Sequence, residues 1–474
     1  MYTQHKYLSC RMISIKAIIV FISILYQTNT SAQVSKKEEI CNITNENSKP
    51  YMLQITSNIK LLNVNRIQDN LQPAAQRFPT PTVKLYWPLK PHNTSNFTYY
   101  RISNYVDLDP ATEIRDLNDN YVSGRLDYNC GTRNYDGHNG LDISALPYGW
   151  KMMNDESISV VAAASGIIVA GEDGNIDNNC TLVGFTGPTW GNWIALMHDD
   201  STVTTYIHLK SGSVIPRTTG QRVNAGAYLG YMASSGRSTD PHLHFGVYIN
   251  NYFLNNGSWD PPGSLREPFN GTCNNILPTF WNNQKPYNEP SVVAIETHNA
   301  TPGNYSSNCD QTISLYFDKT FNPGSTVYTR TWFRDWIDGS FAVIQLLNPA
   351  GNQMNSAIFS NTNNSRTFLY NWNLGISNLA SFGTYTIRVT FNGQTWERYF
   401  TVGCIQNYTV SGTLNSPKGY IAGNAITTTQ IIESGIDNRV EYHADNNTVF
   451  MPGFHAKAGS HIIADAKGCT NGYH

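Results

Sequence analysis

Short apolar runs separated by glycine-, asparagine- and proline-containing turns recur from about residue 84 to the end of the chain. Successive side chains of a β-strand face opposite sides, so such runs predict strands that bury one face or both faces. Between residues 86 and 270 no stretch has the 3.6-residue apolar period of an amphipathic helix. The pattern therefore predicts an all-β chain, and its first firm strand begins at K-L-Y-W-P-L, residues 84–89.

The strongest strand signals of the first half lie between residues 157 and 232. S-I-S-V-V-A-A-A-S-G-I-I-V-A-G at 157–171 predicts two strands around a serine–glycine turn. N-W-I-A-L-M-H at 192–198 and V-T-T-Y-I-H-L at 203–209 predict a hairpin joined by D-D-S-T. R-V-N-A-G-A-Y-L-G-Y-M at 222–232 adds another strand.

The second half predicts two further β modules. An asparagine- and proline-rich stretch indicates a linker at 271–303, and the runs after it have the spacing of an Ig-like β-sandwich at 304–404. Residues 405–474 form a smaller β module, in which G-F-H-A-K-A-G-S resembles a terminal module of secreted bacterial proteins. The sandwich runs are T-I-S-L-Y-F at 312–317, F-A-V-I-Q-L-L at 341–347, G-T-Y-T-I-R-V-T-F at 383–391 and E-R-Y-F-T-V at 397–402.

The N-terminal residues 1–32 have the pattern of a secretory signal. Lys16 precedes the apolar run 17–26, which is too short to span a bilayer, and T-S-A at 30–32 suits signal peptidase. No cysteine follows the run at a lipidation position. We therefore expect a secreted protein, extracellular or periplasmic, without a membrane span, in which residues 33–85 form a lead-in segment.

Composition narrows the class of protein. The length of 474 residues suggests about three domains, and only 14% of the residues are charged, against a usual ~25%. This composition suits β-rich extracellular modules. The formal net charge of −2 gives no indication of nucleic-acid binding.

Export permits disulfides, and removal of Cys10 with the signal leaves seven cysteines. Seven is an odd number, so at least one stays free or pairs with another molecule. Sequence does not fix the connectivity. The simplest hypothesis joins neighbours along the chain and leaves Cys41 over, giving Cys130–Cys180, Cys273–Cys309 and Cys404–Cys469.

Four of the twelve histidines fall at three points between residues 138 and 244. In P-H-L-H-F a strand would place His242 and His244 on one face, roughly 6.6 Å apart, with Leu243 in the core. One imidazole could then bind a metal while the other reaches a water on the same metal. A bare H-x-H is weak evidence, and single histidines are more often structural or merely exposed.

H-N-G-L-D at 138–142 brings a second set of donors. On an extended strand His138 and Asp142 would lie roughly 13 Å apart, but Asn139-Gly140 is a strong turn signal and should bring them together. With His244 as the third donor, the set matches a catalytic zinc site with three protein ligands and one open position. The alternative is a turn with an exposed histidine and aspartate.

These motifs occur in one order with G-N-W-I-A-L-M-H-D-D, T-T-Y-I-H-L, V-N-A-G-A-Y-L-G and S-S-G-R-S-T-D-P-H-L-H-F. The combination resembles the lysostaphin-type (LytM-like) zinc endopeptidases over about residues 86–270. The resemblance implies a compact antiparallel β-fold of the duplicated hybrid motif type. One departure is Asp240, where the family usually has glycine. The resemblance makes His138, Asp142 and His244 the Zn²⁺ ligands, and it makes His208 and His242 the catalytic residues beside the attacking water.

The function implied is hydrolysis of peptide bonds in the stem or cross-bridge peptides of bacterial peptidoglycan. Which of His208 and His242 is the general base stays open. Tyr206 could donate to an oxyanion, although an ordinary strand tyrosine is the simpler reading, and His198 is expected to be a hairpin residue. The alternatives are a secreted protease that acts on proteins, and a non-catalytic cell-wall-binding or amidase-regulating protein. The C-terminal modules would serve attachment to the cell surface or recognition by export machinery.

Overall fold

The computed structural model describes residues 42–43, 51–52, 82–92, 96–109, 111, 114–115, 121–178, 186–249, 264–275, 278–303, 315–374, 382–434 and 439–469. The predicted signal, Cys41, Cys180 and Cys309 lie outside these residues. The chain divides into two compact units, Met1–Ile67 and Gln68–His474. In the described part of the first unit, β1 (Asn42–Ile43) pairs antiparallel with β2 (Tyr51–Met52). None of the helices in the described ranges has the length and apolar character needed to cross a bilayer.

A seven-stranded antiparallel sheet organises the first part of the second unit. Leu243, Phe245 and Val247 point into one core together with Tyr206, as the alternation along their strand predicts. The predicted hairpin of two long strands is present at the centre of the sheet. In spatial order the strands are β12 (Arg222–Val223), β9 (Gly166–Glu172), β10 (Asn192–Met197), β11 (Val203–Leu209), β14 (His242–Tyr248), β7 (Leu141–Ala145) and β4 (Tyr100–Asn104).

A three-stranded sheet packs beside the large one, and a two-stranded pair and a short helix accompany it. The two strands predicted in 157–171 form, but they belong to different sheets, and the run 222–232 splits into two strands. The six-residue helix is too short to show an apolar period. The elements are β3 (Leu89–Pro91), β8 (Ile158–Val161) and β13 (Tyr228–Tyr231), the pair β5 (Ile114–Arg115) and β6 (Tyr121–Ser123), and α1 (Gly149–Asn154).

The segment after the large sheet folds back onto it. Phe269 and Trp281 lie in the main core, and Cys273 donates its backbone N–H to the Tyr128 carbonyl at 2.8 Å. Cys273 therefore forms a disulfide with Cys130, at a Cα–Cα distance of 5.1 Å. We propose that the first domain extends to about residue 290.

This disulfide corrects the predicted pairing of Cys130 with Cys180 and of Cys273 with Cys309. Neighbours along the chain are not neighbours in space here, because the returning segment runs alongside the turn that carries Cys130. The predicted bridge between Cys404 and Cys469 is present.

Two facing sheets form the β-sandwich. Aromatic rings fill its core, among them Phe333, Trp336 and Phe391, which contact one another. The first strand of the sandwich lies within the segment expected to be a linker. One sheet has the order β15 (Ser291–His298), β17 (Val327–Trp336), β20 (Ser365–Leu374), and the other β16 (Thr320–Phe321), β22 (Gln394–Val402), β21 (Gly383–Phe391), β18 (Phe341–Leu347), β19 (Gln353–Ser360).

The strands of the sandwich that carry apolar runs coincide with the prediction, since β18, β21 and most of β22 were expected. Two other strands gave no signal. The side chains of β19 are mostly exposed and polar, and β17 buries charged residues such as Arg330 and Arg334. Of the predicted run 312–317, the residues 312–314 lie outside the described part, and 315–317 form no strand.

The terminal module is a three-coil parallel β-solenoid, a form of β module that the sequence analysis did not foresee. Each strand pairs in parallel with one in the next coil, from 18 residues later (Asn407 with Ala425) to 24 residues later (Ile431 with His455). Ile426, Val440 and Tyr442 lie in its apolar interior. Its three sides are β23 (Asn407–Val410), β26 (Ala425–Thr428), β29 (Asn447–Phe450); β24 (Thr413–Leu414), β27 (Ile431–Ile432), β30 (His455–Ala456); and β25 (Lys418–Ala422), β28 (Arg439–Ala444), β31 (His461–Asp465).

Candidate metal centre and active site

Three neighbouring strands of the seven-stranded sheet align the centre of the site. Asp142 on β7 stands opposite His244 on β14, and on its other side it stands opposite Asn104 on β4. Directly opposed residues of an antiparallel pair lie side by side on one face. The sheet register thus places a carboxylate between an imidazole and an amide.

His138 joins this row from the turn that precedes β7. Its Nε2 lies 3.1 Å from Asp142 Oδ2 and 3.3 Å from His244 Nδ1. Its Nδ1 lies 2.6 Å from the Tyr105 carbonyl oxygen, to which it donates its proton. A ring nitrogen fixed in this way leaves the other nitrogen with its lone pair free for a ligand.

The donor set fits a metal ion. One ligand atom each of His138, Asp142 and His244 lies within 4.8 Å of the others, and all three residues are buried. His244 Nδ1 is 2.8 Å from Asp142 Oδ1, so the two strands present their donors to a common point. Two imidazole nitrogens and one carboxylate oxygen form a set that zinc accepts.

Gly140 explains why a small residue stands inside H-N-G-L-D. A Cβ atom at this position would lie 2.4 Å from His244 Nε2 and 2.7 Å from its Cε1. No real side chain fits at such a distance. The turn that delivers His138 therefore also shapes the space that the His244 ring occupies.

His208 and His242 lie next to the three donors without belonging to them. The His208 ring centroid is 4.7 Å from that of His242 and 6.0 Å from that of His244. His208 Nδ1 donates to the Ser235 carbonyl at 2.6 Å, and His242 Nδ1 to the Asp240 carbonyl at 2.7 Å. In both rings the proton on Nδ1 is held by backbone, so Nε2 is the nitrogen left to exchange protons.

The backbone of His208 is unusual for a strand residue, because its φ is +67°. A non-glycine residue in the left-handed region costs free energy and persists only where its surroundings hold it. Here the adjoining pairing of β10 with β11 is irregular between Asn192 and Ile194. Because of this change, His208 departs from simple strand alternation.

The electrostatics of the site favour a charged carboxylate. Burial opposes ionisation of Asp142, but the nearby His138 and His242 and the hydrogen bonds from His138 and His244 hold its pKa well below the usual value. Burial lowers the pKa of His208 well below 6.5, and His242 and His244 lower it further. A neutral His208 is suited to accept a proton.

The other candidates of the sequence analysis fall outside the centre. The hydroxyl of Tyr206 is buried and accepts the backbone N–H of Ala163 at 2.7 Å, as expected for an ordinary strand residue. The His198 ring bonds the Ser165 carbonyl and Thr204 within the hairpin. Asp240 lies beside the site through its carbonyl, and burial raises the pKa of its carboxyl group to about 6.

Three contributors at the site were not singled out from sequence. Tyr105 supplies the carbonyl that holds His138, and Asn104 donates its amide N–H to Asp142 Oδ2 at 2.9 Å. The half-exposed Tyr135 ring lies 4.5 Å from the His138 ring, between that residue and solvent. Only Tyr135 had a usable signal, its position three residues before the motif histidine.

Comparison with known proteins addresses the same segment. The profile of Peptidase family M23 matches residues 137–256, which include His138, Asp142, His208, His242 and His244. Residues 137–256 form an M23 peptidase domain. The seven-stranded sheet extends this M23 domain at its edge with β4, upstream of the matched residues.

Curated relatives share the M23 domain over short stretches. The chain is 35% identical over 65 residues to peptidoglycan DD-endopeptidase ShyC of Vibrio cholerae, covering 14% of each chain. It is 37% identical over 91 residues to glycyl-glycine endopeptidase ALE-1 of Staphylococcus capitis, covering 19% of this chain and 24% of the relative. The chain thus spans less than a quarter of the length of these relatives.

Among solved structures, the catalytic domain of lysostaphin from Staphylococcus simulans is 26% identical, with 28% of this chain and 78% of that chain covered and a TM-score of 0.20. The catalytic domain of the M23 protein EnpA from Enterococcus faecalis is 20% identical, with 38% and 93% covered and a TM-score of 0.22.

Proposed function

We propose that the protein is a secreted zinc metalloendopeptidase that hydrolyses peptide bonds in the stem or cross-bridge peptides of bacterial peptidoglycan. The observation that carries this proposal is the buried group of His138, Asp142 and His244 inside an M23 domain. Two further histidines present their Nε2 atoms beside that group. The relatives named as peptidoglycan endopeptidases support the choice of substrate.

His138 through Nε2, Asp142 through its carboxylate and His244 through Nδ1 would hold the zinc ion. When bound, zinc supplies a Lewis acid that polarises the scissile carbonyl and lowers the pKa of a water toward ~7. The hydrogen bond from His138 to the Tyr105 carbonyl keeps the ring in the tautomer that coordination needs.

His208 and His242 would move the protons of the reaction. One Nε2 accepts a proton from the attacking water, and the other donates a proton to the leaving amine or to the developing oxyanion. The backbone carbonyls of Ser235 and Asp240 orient the two rings, so neither has to reorganise during the reaction. The pair is symmetric in this respect, and the assignment of the base is left to kinetics.

The sandwich and the solenoid contain no further metal-ligand group within the described ranges, so we propose a role for them in attachment to the cell surface or in recognition by export machinery. His455 and His461 of the solenoid are exposed on separate strands. The proposed partners of the site are peptides, and the net charge of −2 offers no attraction to nucleic acid.

The test is a digest of purified peptidoglycan by zinc-loaded protein, with the products identified by mass spectrometry. Cleavage between residues of the stem or cross-bridge is expected, and a chelator should stop it. Cleavage of a protein substrate with intact peptidoglycan would favour the secreted protease instead. Zinc binding without hydrolysis of either substrate would favour the non-catalytic cell-wall protein.

A further inference from the structure

The edge of the M23 sheet is covered by the sandwich. β4 is the last strand of the seven-stranded sheet, and residues of β20 reach it from the sandwich. Arg101 on β4 donates to Thr367 Oγ1 at 2.6 Å, and Arg366 donates to the Ser103 carbonyl. The strand beside the Asp142 strand is therefore held from both sides.

An irregularity in β4 brings Asn104 to the metal centre. Tyr100 pairs with Ala145 and Ile102 with Ile143, so a regular ladder would place Ser103 opposite Asp142. The register shifts after Ile102, and Asn104 stands there instead. Bulges next to active sites commonly redirect a side chain in this way. Here the shift places an amide at the carboxylate.

The amide of Asn104 links two charged groups. Its Nδ2 donates to Asp142 Oδ2 at 2.9 Å, while its Oδ1 lies 3.4 Å from an Arg366 guanidinium nitrogen. An arginine can only donate and a carboxylate can only accept, so the two neighbours fix which end of the amide faces each of them. Burial lowers the pKa of Arg366 to about 10, and Arg133 and Arg101 lower it further, so the guanidinium stays charged at neutral pH.

Asp142 depends on this contact for its orientation. Its Oδ1 lies 2.8 Å from His244 Nδ1, and its Oδ2 lies near both His138 Nε2 and Asn104 Nδ2. Asn104 is the neighbour in this set that carries no proposed ligand role. Once a metal occupies the space between the histidines, the amide remains to hold the carboxylate plane.

We propose that Arg366 of the sandwich is a positioning residue of the metal centre, which acts through Asn104 to hold the Asp142 carboxylate in its ligand orientation. The proposal rests on the proposed zinc site. It gives the sandwich a part in metal binding, beyond attachment.

The test measures zinc affinity of the full-length protein by competition with a chromophoric chelator, together with the melting temperature of the zinc-free protein. Asn104→Ala and Arg366→Ala should each weaken zinc binding by about 10- to 100-fold, the usual effect of losing a group that orients a ligand. If Arg366 acts through Asn104, the double variant should bind zinc no more weakly than Asn104→Ala alone. Arg366→Lys, which keeps the charge and one donor, should recover part of the affinity.

Thr367→Val is the matched control. It removes the hydroxyl that accepts from Arg101 at the same seam, and it leaves Asn104 and Arg366 in place. It should change the melting temperature by as much as Arg366→Ala and leave zinc affinity at the wild-type value. Equal zinc affinities of the wild type and Arg366→Ala would overturn the proposal, and so would additive losses in the double variant.

The affinity measurement separates this proposal from the proposed function. Wild-type protein that binds zinc without cleaving peptidoglycan would refute the peptidase function, while the variants would still decide the role of Arg366. Wild-type protein that binds no zinc would overturn both. If Arg366→Ala does not fold, Arg366→Lys and Asn104→Ala carry the comparison with Thr367→Val.

Discussion

Gly140→Ala is the smallest change that should dismantle the proposed metal centre. The new Cβ would lie 2.4 Å from His244 Nε2, whereas ordinary contacts begin at 3.4 Å. The His244 ring, or the turn that carries His138, must then move by about 1 Å. Zinc–nitrogen bonds are about 2.0–2.1 Å long and tolerate changes of roughly 0.2 Å.

A displacement of this size removes one donor, so we expect zinc affinity to fall by about 100-fold or more, at least the loss seen when a supporting group is removed. A 100-fold loss corresponds to about 2.7 kcal/mol. Competition with a chelator measures the affinity, and hydrolysis of a soluble cross-bridge peptide measures activity at saturating zinc.

Gly149→Ala is the control, because its Cβ would meet its nearest neighbours at 3.5 Å, an ordinary contact, at the start of α1. This variant should keep zinc affinity and activity. Wild-type zinc affinity in folded Gly140→Ala protein would refute the contact argument, and with it the idea that Gly140 is required by the His244 ring.

Three further predictions concern individual histidines. His244→Ala should lose zinc and activity together, and full zinc occupancy by elemental analysis would remove this residue from the ligand set. His208→Ala and His242→Ala should each keep zinc and lose activity by on the order of 10²-fold or more, with less than additive losses in combination; a normal kcat in the folded His208→Ala protein would exclude that residue. Burial lowers the pKa of His198 below 6.5, so the unfolded chain binds the proton first as the pH falls. Its contribution to stability is therefore present above about pH 6.5 and is lost below it; His198→Gln should flatten the fall in melting temperature between about pH 7 and pH 5, and an unchanged slope would contradict this account.

The strands that could be predicted from sequence are those with a simple burial pattern. β14 alternates because Leu243 and Phe245 face the core, and β18 and β21 carry continuous apolar runs. β17 could not be found because its buried arginines find partners only in the folded protein, as Arg334 does at the Tyr100 carbonyl. Local sequence contains no record of such distant partners.

The solenoid was hidden for a different reason. Its coils differ in length, so that the paired residues are 18 residues apart on one side and 22 or 24 on another. An internal repeat with a fixed period is the usual signal for such a fold. Here a short, variable period and unlike side chains left only the impression of a small β module.

The candidate site was predictable as far as its motifs extend. H-N-G-L-D and H-L-H named five side chains with their neighbours, and the structure brings His138, Asp142 and His244 together. Asn104 and Tyr105 were not predictable, because one depends on a shift in register and the other contributes only its carbonyl group. The positive φ of His208 likewise has no local signature in the sequence.

The bridge between Cys130 and Cys273 encloses a loop with a sequence separation of 143 residues. All five histidine and aspartate residues of the candidate site lie between those two cysteines. A single proteolytic cut anywhere inside the loop would leave one covalent molecule, which would separate into fragments only under reducing conditions. An enzyme working among extracellular proteases could thus be nicked once and still keep both halves of its site tethered to each other.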